Sequence, residues 1–236
     1  HNDSQKPSIF FFGCSHMHGT GLLDSETLPH IMYNKLNGAY NIKNFGAGGS
    51  SNEEHTRLMY QALHFIPEKP RAIVWRMTHK YRREYFTINE RGTLSQHRMK
   101  IQPSSRMDPA MHAAYKKLIY EENDIINVIR NYKFAETLCK LYNVPLFWWY
   151  TYGNVRMFLH ARPTPSQLKD KNFEDKSQIV DTSFIGEFFD ISKTFLPSIP
   201  ENLLNFPRAR DCKHGGYKSQ LWVADKLLDL FKDNNL

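Results

Sequence analysis

The chain has 236 residues, 41% of them hydrophobic and 14% aromatic, with Lys+Arg 31 against Asp+Glu 24 for a formal charge of +7. This composition excludes a disordered chain and is rich enough for a sizeable core. No apolar run approaches the roughly 20 residues of a membrane-spanning helix, and the basic excess lacks the basic and aromatic surface motifs of nucleic-acid modules.

In chain order, Ile9 to Leu22 reads IFFFGCSHMHGTGL, a run of β formers closed by glycine. It predicts a buried strand that stops at a tight turn and presents Ser15 at its carboxyl end, where ligands bind in open α/β sheets. Thr27 to Leu36 has helical spacing with Gly38 as a C-cap, and Tyr40 to Phe45 is a short strand leading into GAGGSS, Gly46 to Ser51. Ser50 or Ser51 can cap the next helix, with Glu53 and Glu54 in its first turn; that helix runs to about Ile66. Pro67 and Pro70 punctuate, and Arg71 to Met77 is a third strand. Thr78 to Met107 is polar and basic and reads as an irregular excursion over the sheet.

Pro109 to Tyr142 carries a long helical pattern with room for one break, and Pro145 to Tyr150, PLFWWY, is a fourth strand. Residues 153–183 show no firm periodicity, and Phe184 to Ile191 fits a fifth strand. Tyr217 to Phe231 puts Leu221, Ala224, Leu227, Leu228 and Phe231 on one helical face. Strands separated by helices imply parallel pairing and right-handed crossovers, hence a three-layer α/β/α sandwich with about five strands, flavodoxin-like. A single domain over 1–236 is expected.

A serine hydroxyl is a weak nucleophile until a histidine takes its proton, and the histidine works best when a carboxylate fixes its tautomer. Asp211-Cys212-Lys213-His214-Gly215-Gly216 stands just before the closing helix. In a parallel sheet the loop before the last helix shares the rim of Ser15, so the three side chains can meet. Taken singly, each has an ordinary explanation: Ser15 as a helix cap, His214 as a surface histidine, the glycines of 46–49 as a tight turn.

Together these residues resemble the SGNH or GDSL-type hydrolases. Gly13-Cys14-Ser15 stands where that family has Gly-Asp-Ser, Asn44 to Ser51 is similar to its second block, and Asp211 to His214 matches its Asp-x-x-His. The resemblance implies Ser15 as nucleophile, His214 as base and Asp211 as the orienting acid. It also implies an oxyanion hole from the amides of Ser15 and Gly49. Two departures stand out. The third block, normally Gly-x-Asn-Asp, is Arg76-Met77-Thr78-His79-Lys80 here, which puts His79 in the asparagine position with Thr78 as its rival. Cys14 replaces the aspartate of the first block, implying a repacked turn.

The resemblance implies a serine esterase that removes a small acyl group, such as O-acetyl, from a carbohydrate or another ester. The competing class is a non-catalytic module of the same fold that binds a glycan or a protein; GCS in the first block with a long polar middle looks similar to proteins of bacteria and their phages. His16, Thr78, Arg76 and Arg82 are the candidate substrate-binding residues, and if the basic residues face the cleft they favour an anionic substrate. No cofactor or metal is expected, since Cys14, His16 and His18 lack an acidic partner. Neither a nucleic-acid nor a membrane partner is expected, and the oligomeric state is left open.

Cys14, Cys139 and Cys212 are too few and too scattered for a disulfide framework, so Cys14 and Cys212 are expected as two buried thiols, with a disulfide between them the alternative. The lack of a leader pattern favours the cytoplasm; the start at His1 leaves export open.

Overall fold

The computed structural model describes residues 6–99, 109–118, 121–150, 206–212 and 214–236. In chain order the elements are β1 (Ser8–Gly13), α1 (Ser15–His18), α2 (Leu28–Lys35), β2 (Asn41–Asn44), α3 (Asn52–Phe65) and β3 (Pro70–Met77). They continue with β4 (Arg83–Ile88), β5 (Leu94–Met99), α4 (Pro109–Leu118), α5 (Glu121–Leu141), β6 (Leu146–Tyr150) and α6 (Tyr217–Asp233). Four strands form a parallel sheet in the order β2-β1-β3-β6. This is the α/β class expected from the alternation of strand and helix signals.

Strands β1, β3 and β6 are buried on both faces, which is why they read as continuous apolar runs, while the edge strand β2 is half-exposed. Alternate side chains serve opposite layers. Phe10, Phe12, Trp75 and Trp148 pack with Met59 and Leu63 of α3 and Tyr132 and Ala135 of α5. Ile9, Phe11, Val74 and Phe147 pack with Ile31 and Met32 of α2 and Leu227 and Phe231 of α6. Each such fully buried side chain contributes about 1.5–3 kcal/mol. The central position of β1 follows: its six residues are all buried, and its end is surrounded by the ends of β2 and β3.

One difference from the sequence pattern has a clear cause. The segment expected to be irregular holds an antiparallel hairpin, β4 paired with β5 from Arg83↔Met99 to Ile88↔Leu94. Most of its side chains are exposed or half-buried, so no core-facing period marks it. It is joined to α3 by ion pairs instead: Arg57 with Glu84, Arg98 with Glu54, and Arg83 with Glu53. The long helical pattern of 109–142, with its room for one break, holds α4 and α5. The stretch 153–183 and the expected strand at 184–191 lie outside the described residues.

Candidate active site

At the end of β1 the chain turns at once into α1, because the amides of Met17 and His18 both donate to the carbonyl of Cys14 at 2.9 Å. Ser15 heads that turn and is buried, with 8% of its surface exposed. His214 Nε2 lies 2.8 Å from Ser15 Oγ. The other ring nitrogen, Nδ1, is hydrogen-bonded to Asp211 Oδ2, and Asp211 Oδ1 accepts the backbone N–H of His214 at 3.1 Å. Asp211 thus holds both the main chain and the ring of the same residue. With the proton kept on Nδ1, Nε2 faces Ser15 as an acceptor.

The loop carrying this pair is anchored from outside. The amide of Arg210 donates to the carbonyl of Gly21 at 3.1 Å, and the Arg210 guanidinium grips Glu26 with both amino nitrogens, at 2.5 and 2.9 Å. Gly21 has φ +81°, and a Cβ there would stand 2.9 Å from Asp211 Cγ. A side chain at that position would push against the carboxylate itself.

Opposite lies the glycine-rich loop between β2 and α3. Asn44 pins its start: Nδ2 donates to the carbonyl of Met17 at 3.1 Å, and Oδ1 accepts the amide of Gly46 at 2.9 Å. The amide of Ala47 donates to the carbonyl of Gly13 at 3.0 Å. Gly49 follows at φ +78°, a conformation that favours glycine. A Cβ at Gly48 would meet nothing within 4 Å among the described residues. The amides of Ser15 and Gly49 find no acceptor among the described residues.

A buried relay supports the same loop. Trp75 Nε1 donates to His55 Nδ1 at 3.1 Å, which leaves the His55 proton on Nε2, 2.7 Å from Ser50 Oγ. Ser50 Oγ in turn donates to the carbonyl of Ala47 at 2.7 Å. Burial, with help from Arg82, holds His55 down to about 3, so the ring is neutral. Of the two serines that could cap α3, Ser51 does so, accepting the amide of Glu54 at 3.2 Å, while Ser50 serves the relay.

The remaining predicted residues lie around this frame. His16 is edge-on to His214, with ring centroids 4.7 Å apart. Burial first, then Arg76, His214 and Arg82, hold it down to about 2, against the opposite pull of Asp211. Arg82 donates to the carbonyl of Ser50 at 3.3 Å, and Arg76 lies over Trp149, 5.8 Å from its centroid. Thr78 is fully buried and its backbone is held by Asn52, whose Oδ1 accepts its amide at 2.8 Å and whose Nδ2 donates to its carbonyl at 3.1 Å. His79 accepts the amide of Tyr81 on Nδ1 at 3.3 Å; burial, Arg82 and Lys80 hold it down to about 4, so its ring is neutral with the proton on Nε2.

Cys14 is buried, and although burial raises its thiol, Arg82, Arg76 and hydrogen bonds with Thr78 and His16 together lower it. Cys212 is exposed, which corrects the expectation of two buried thiols; both are free, so no disulfide joins them. Its position in a left-handed turn, φ +57°, turns it outward from the His214 loop. Sequence reasoning missed Asn52 and Arg98, which hold backbone groups distant in sequence, and His55, which joins the side chains of Ser50 and Trp75.

No protein-family model matches the chain. No curated protein matches it in sequence. Among solved structures it is similar to TesA, with TM-score 0.50 and 11% identity, covering 96% of this chain and 98% of that one. It is similar to the same degree to the psychrotrophic esterase EstA from Pseudoalteromonas sp., inhibited by monoethylphosphonate, with TM-score 0.50, 11% identity, and 97% and 98% covered. A likeness to AlinE4, an SGNH-hydrolase family esterase, has TM-score 0.39 and 15% identity over 62% of this chain; the match spans 60% of AlinE4. The chain has the α/β fold of TesA and EstA.

Proposed function

We propose that this protein is a serine esterase that transfers a small acyl group to water. The observation that carries the reading is the unbroken run of hydrogen bonds from Ser15 Oγ through His214 to Asp211, with the amides of Ser15 and Gly49 meeting no acceptor among the described residues. His214 Nε2 takes the proton of Ser15 as Oγ bonds to the ester carbonyl carbon. The oxyanion so formed lies against the amides of Ser15 and Gly49, with the Nε2–H of His79 as third donor. Collapse breaks the bond to the alcohol, which leaves with the proton from His214. Water then attacks the acyl-serine, giving its proton to the same nitrogen, and Ser15 recovers it as the acid departs.

For the substrate we favour an O-acetylated carbohydrate bearing anionic groups. A cavity of about 330 Å³ shares His18 and Asn44 with the site loops and is lined further by Asp24, Thr27, His30 and Tyr33. These groups suit a sugar's hydroxyls, and Arg76 and Arg82 suit its anionic groups. A fluorophosphonate probe should label Ser15, and turnover of a short-chain nitrophenyl ester should vanish in Ser15→Ala. A folded wild-type protein that takes no label overturns the reading and leaves the glycan- or protein-binding module.

A further inference from the structure

The β4–β5 hairpin has no part in the chemistry so far, yet it reaches the glycine-rich loop. Arg98 of β5 donates from Nη1 to the carbonyl of Gly48 at 3.1 Å. That carbonyl belongs to the same peptide unit as the amide of Gly49. In a trans peptide, C=O and N–H point in opposite directions within one plane, and no described peptide bond is cis. A donor that fixes the Gly48 oxygen therefore fixes the direction of the Gly49 N–H. A charged donor on the oxygen also draws electron density across the peptide and strengthens that N–H as a donor.

We propose that Arg98 is a positioning residue for the oxyanion hole, orienting and polarising the Gly49 amide through the Gly48 carbonyl. The inference rests on the esterase reading for its catalytic meaning.

Arg98 is built to hold this geometry. Its Nε donates to Glu54 Oε2 at 2.7 Å and its Nη2 to Glu54 Oε1 at 2.5 Å, a bidentate grip that leaves Nη1 for Gly48. Glu54 is buried in the first turn of α3, whose cap Ser51 closes the same loop. The carboxylate balances the guanidinium, so Arg98 acts through one directed hydrogen bond rather than as a bare charge facing the substrate. Arg82 holds the next carbonyl but one, that of Ser50. The two arginines of the excursion thus bracket Gly49, and the buried relay from His55 secures the loop from below.

The test compares wild type with Arg98→Ala and Arg98→Lys. Loss of an oxyanion donor costs about a hundredfold to a thousandfold, so a donor left in place but loosened should cost about tenfold to a hundredfold. The loss should fall in kcat with KM unchanged. Lysine should restore part of it, since a point donor can reach one partner but cannot keep the fork. Because Arg98→Ala leaves Glu54 unpaired, the double variant Glu54→Gln/Arg98→Ala removes the buried carboxylate and carries the same expectation if the single variant is unstable.

The second readout is independent of activity: the ¹H–¹⁵N resonance of the Gly49 amide should move in Arg98→Ala and return toward its wild-type place in Arg98→Lys. Folded alanine variants with wild-type kcat, or with an unmoved Gly49 resonance, overturn the proposal. If wild type itself takes no fluorophosphonate, the esterase reading fails, and Arg98 is judged on the Gly49 resonance alone.

Discussion

His16 and His214 are neighbours ring to ring, the edge of one against the face of the other, with 4.7 Å between centroids. In the proposed reaction His214 becomes a cation as Ser15 attacks, so its neighbour must not be one. His16 meets that condition by being held neutral down to about 2. A fixed positive charge at this position should oppose the imidazolium. His16→Lys is expected to lower kcat by about tenfold or more and to move the acidic limb of the kcat/KM profile to lower pH, because the base then loses its proton more readily. A pH–rate profile of both proteins checks this; an unmoved limb with full activity would count against the pairing.

Gly21 connects the first block to the last. A methyl group there meets Asp211 at 2.9 Å in a left-handed backbone conformation. Gly21→Ala should cost about 1–3 kcal/mol of stability through strain, and should also reduce turnover by displacing the carboxylate. Denaturant unfolding and steady-state kinetics separate the two effects. Asp211→Asn, which keeps the shape but no longer secures the proton on His214 Nδ1, should lower kcat by about a thousandfold or more with little change in fold.

Stability should fall in mild acid. His55 is held down to about 3 in the folded chain and titrates near 6.5 when unfolded, so between those values the unfolded state binds the extra proton. Its stabilisation is therefore complete above pH 6.5 and is lost as pH falls toward 3. The slope approaches about 1.4 kcal/mol per pH unit for one such group. His16 and His79 act in the same direction. Urea unfolding at several pH values should show the decline, and His55→Gln should flatten it by one proton's worth.

The anionic preference assigned to the substrate can be isolated at Arg76, which faces Trp149 rather than the glycine-rich loop. Arg76→Gln should raise KM about tenfold for an acetyl ester carrying a carboxylate and leave a neutral acetyl ester unchanged. Equal effects on both esters would argue for a packing role.

Ser15, His214 and Asp211 were legible because a buried strand, a tight turn and a three-residue spacing all act locally. The β1, β3 and β6 runs were legible for a related reason: burial on both faces leaves Phe10 to Phe12, Ile73 to Trp75 and Phe147 to Trp149 apolar without interruption. Nothing comparable marks β4 and β5, where Ile88 and Leu94 are exposed and ion pairs to α3 replace a core face. Arg98 reads as one more basic residue in a polar stretch until folding brings it 50 positions back to Gly48. His55 reads as a helix residue, because its partners Ser50 and Trp75 are brought to it from the preceding loop and a neighbouring strand. Contacts made to backbone oxygen leave no residue pattern to find.

The flank of Gly48 has a consequence for how this chain can change over evolutionary time. Its own carbonyl is held by Arg98 and that of Ser50, two positions on, by Arg82, yet no described residue stands where its side chain would grow. In the proposed esterase, residue 48 is therefore a place beside Ser15's loop partners where added bulk meets no described residue. Gly48→Ala, then Gly48→Leu, should narrow the range of acyl groups accepted while acetyl turnover persists, so preference can drift at one position while the chemistry is conserved at others.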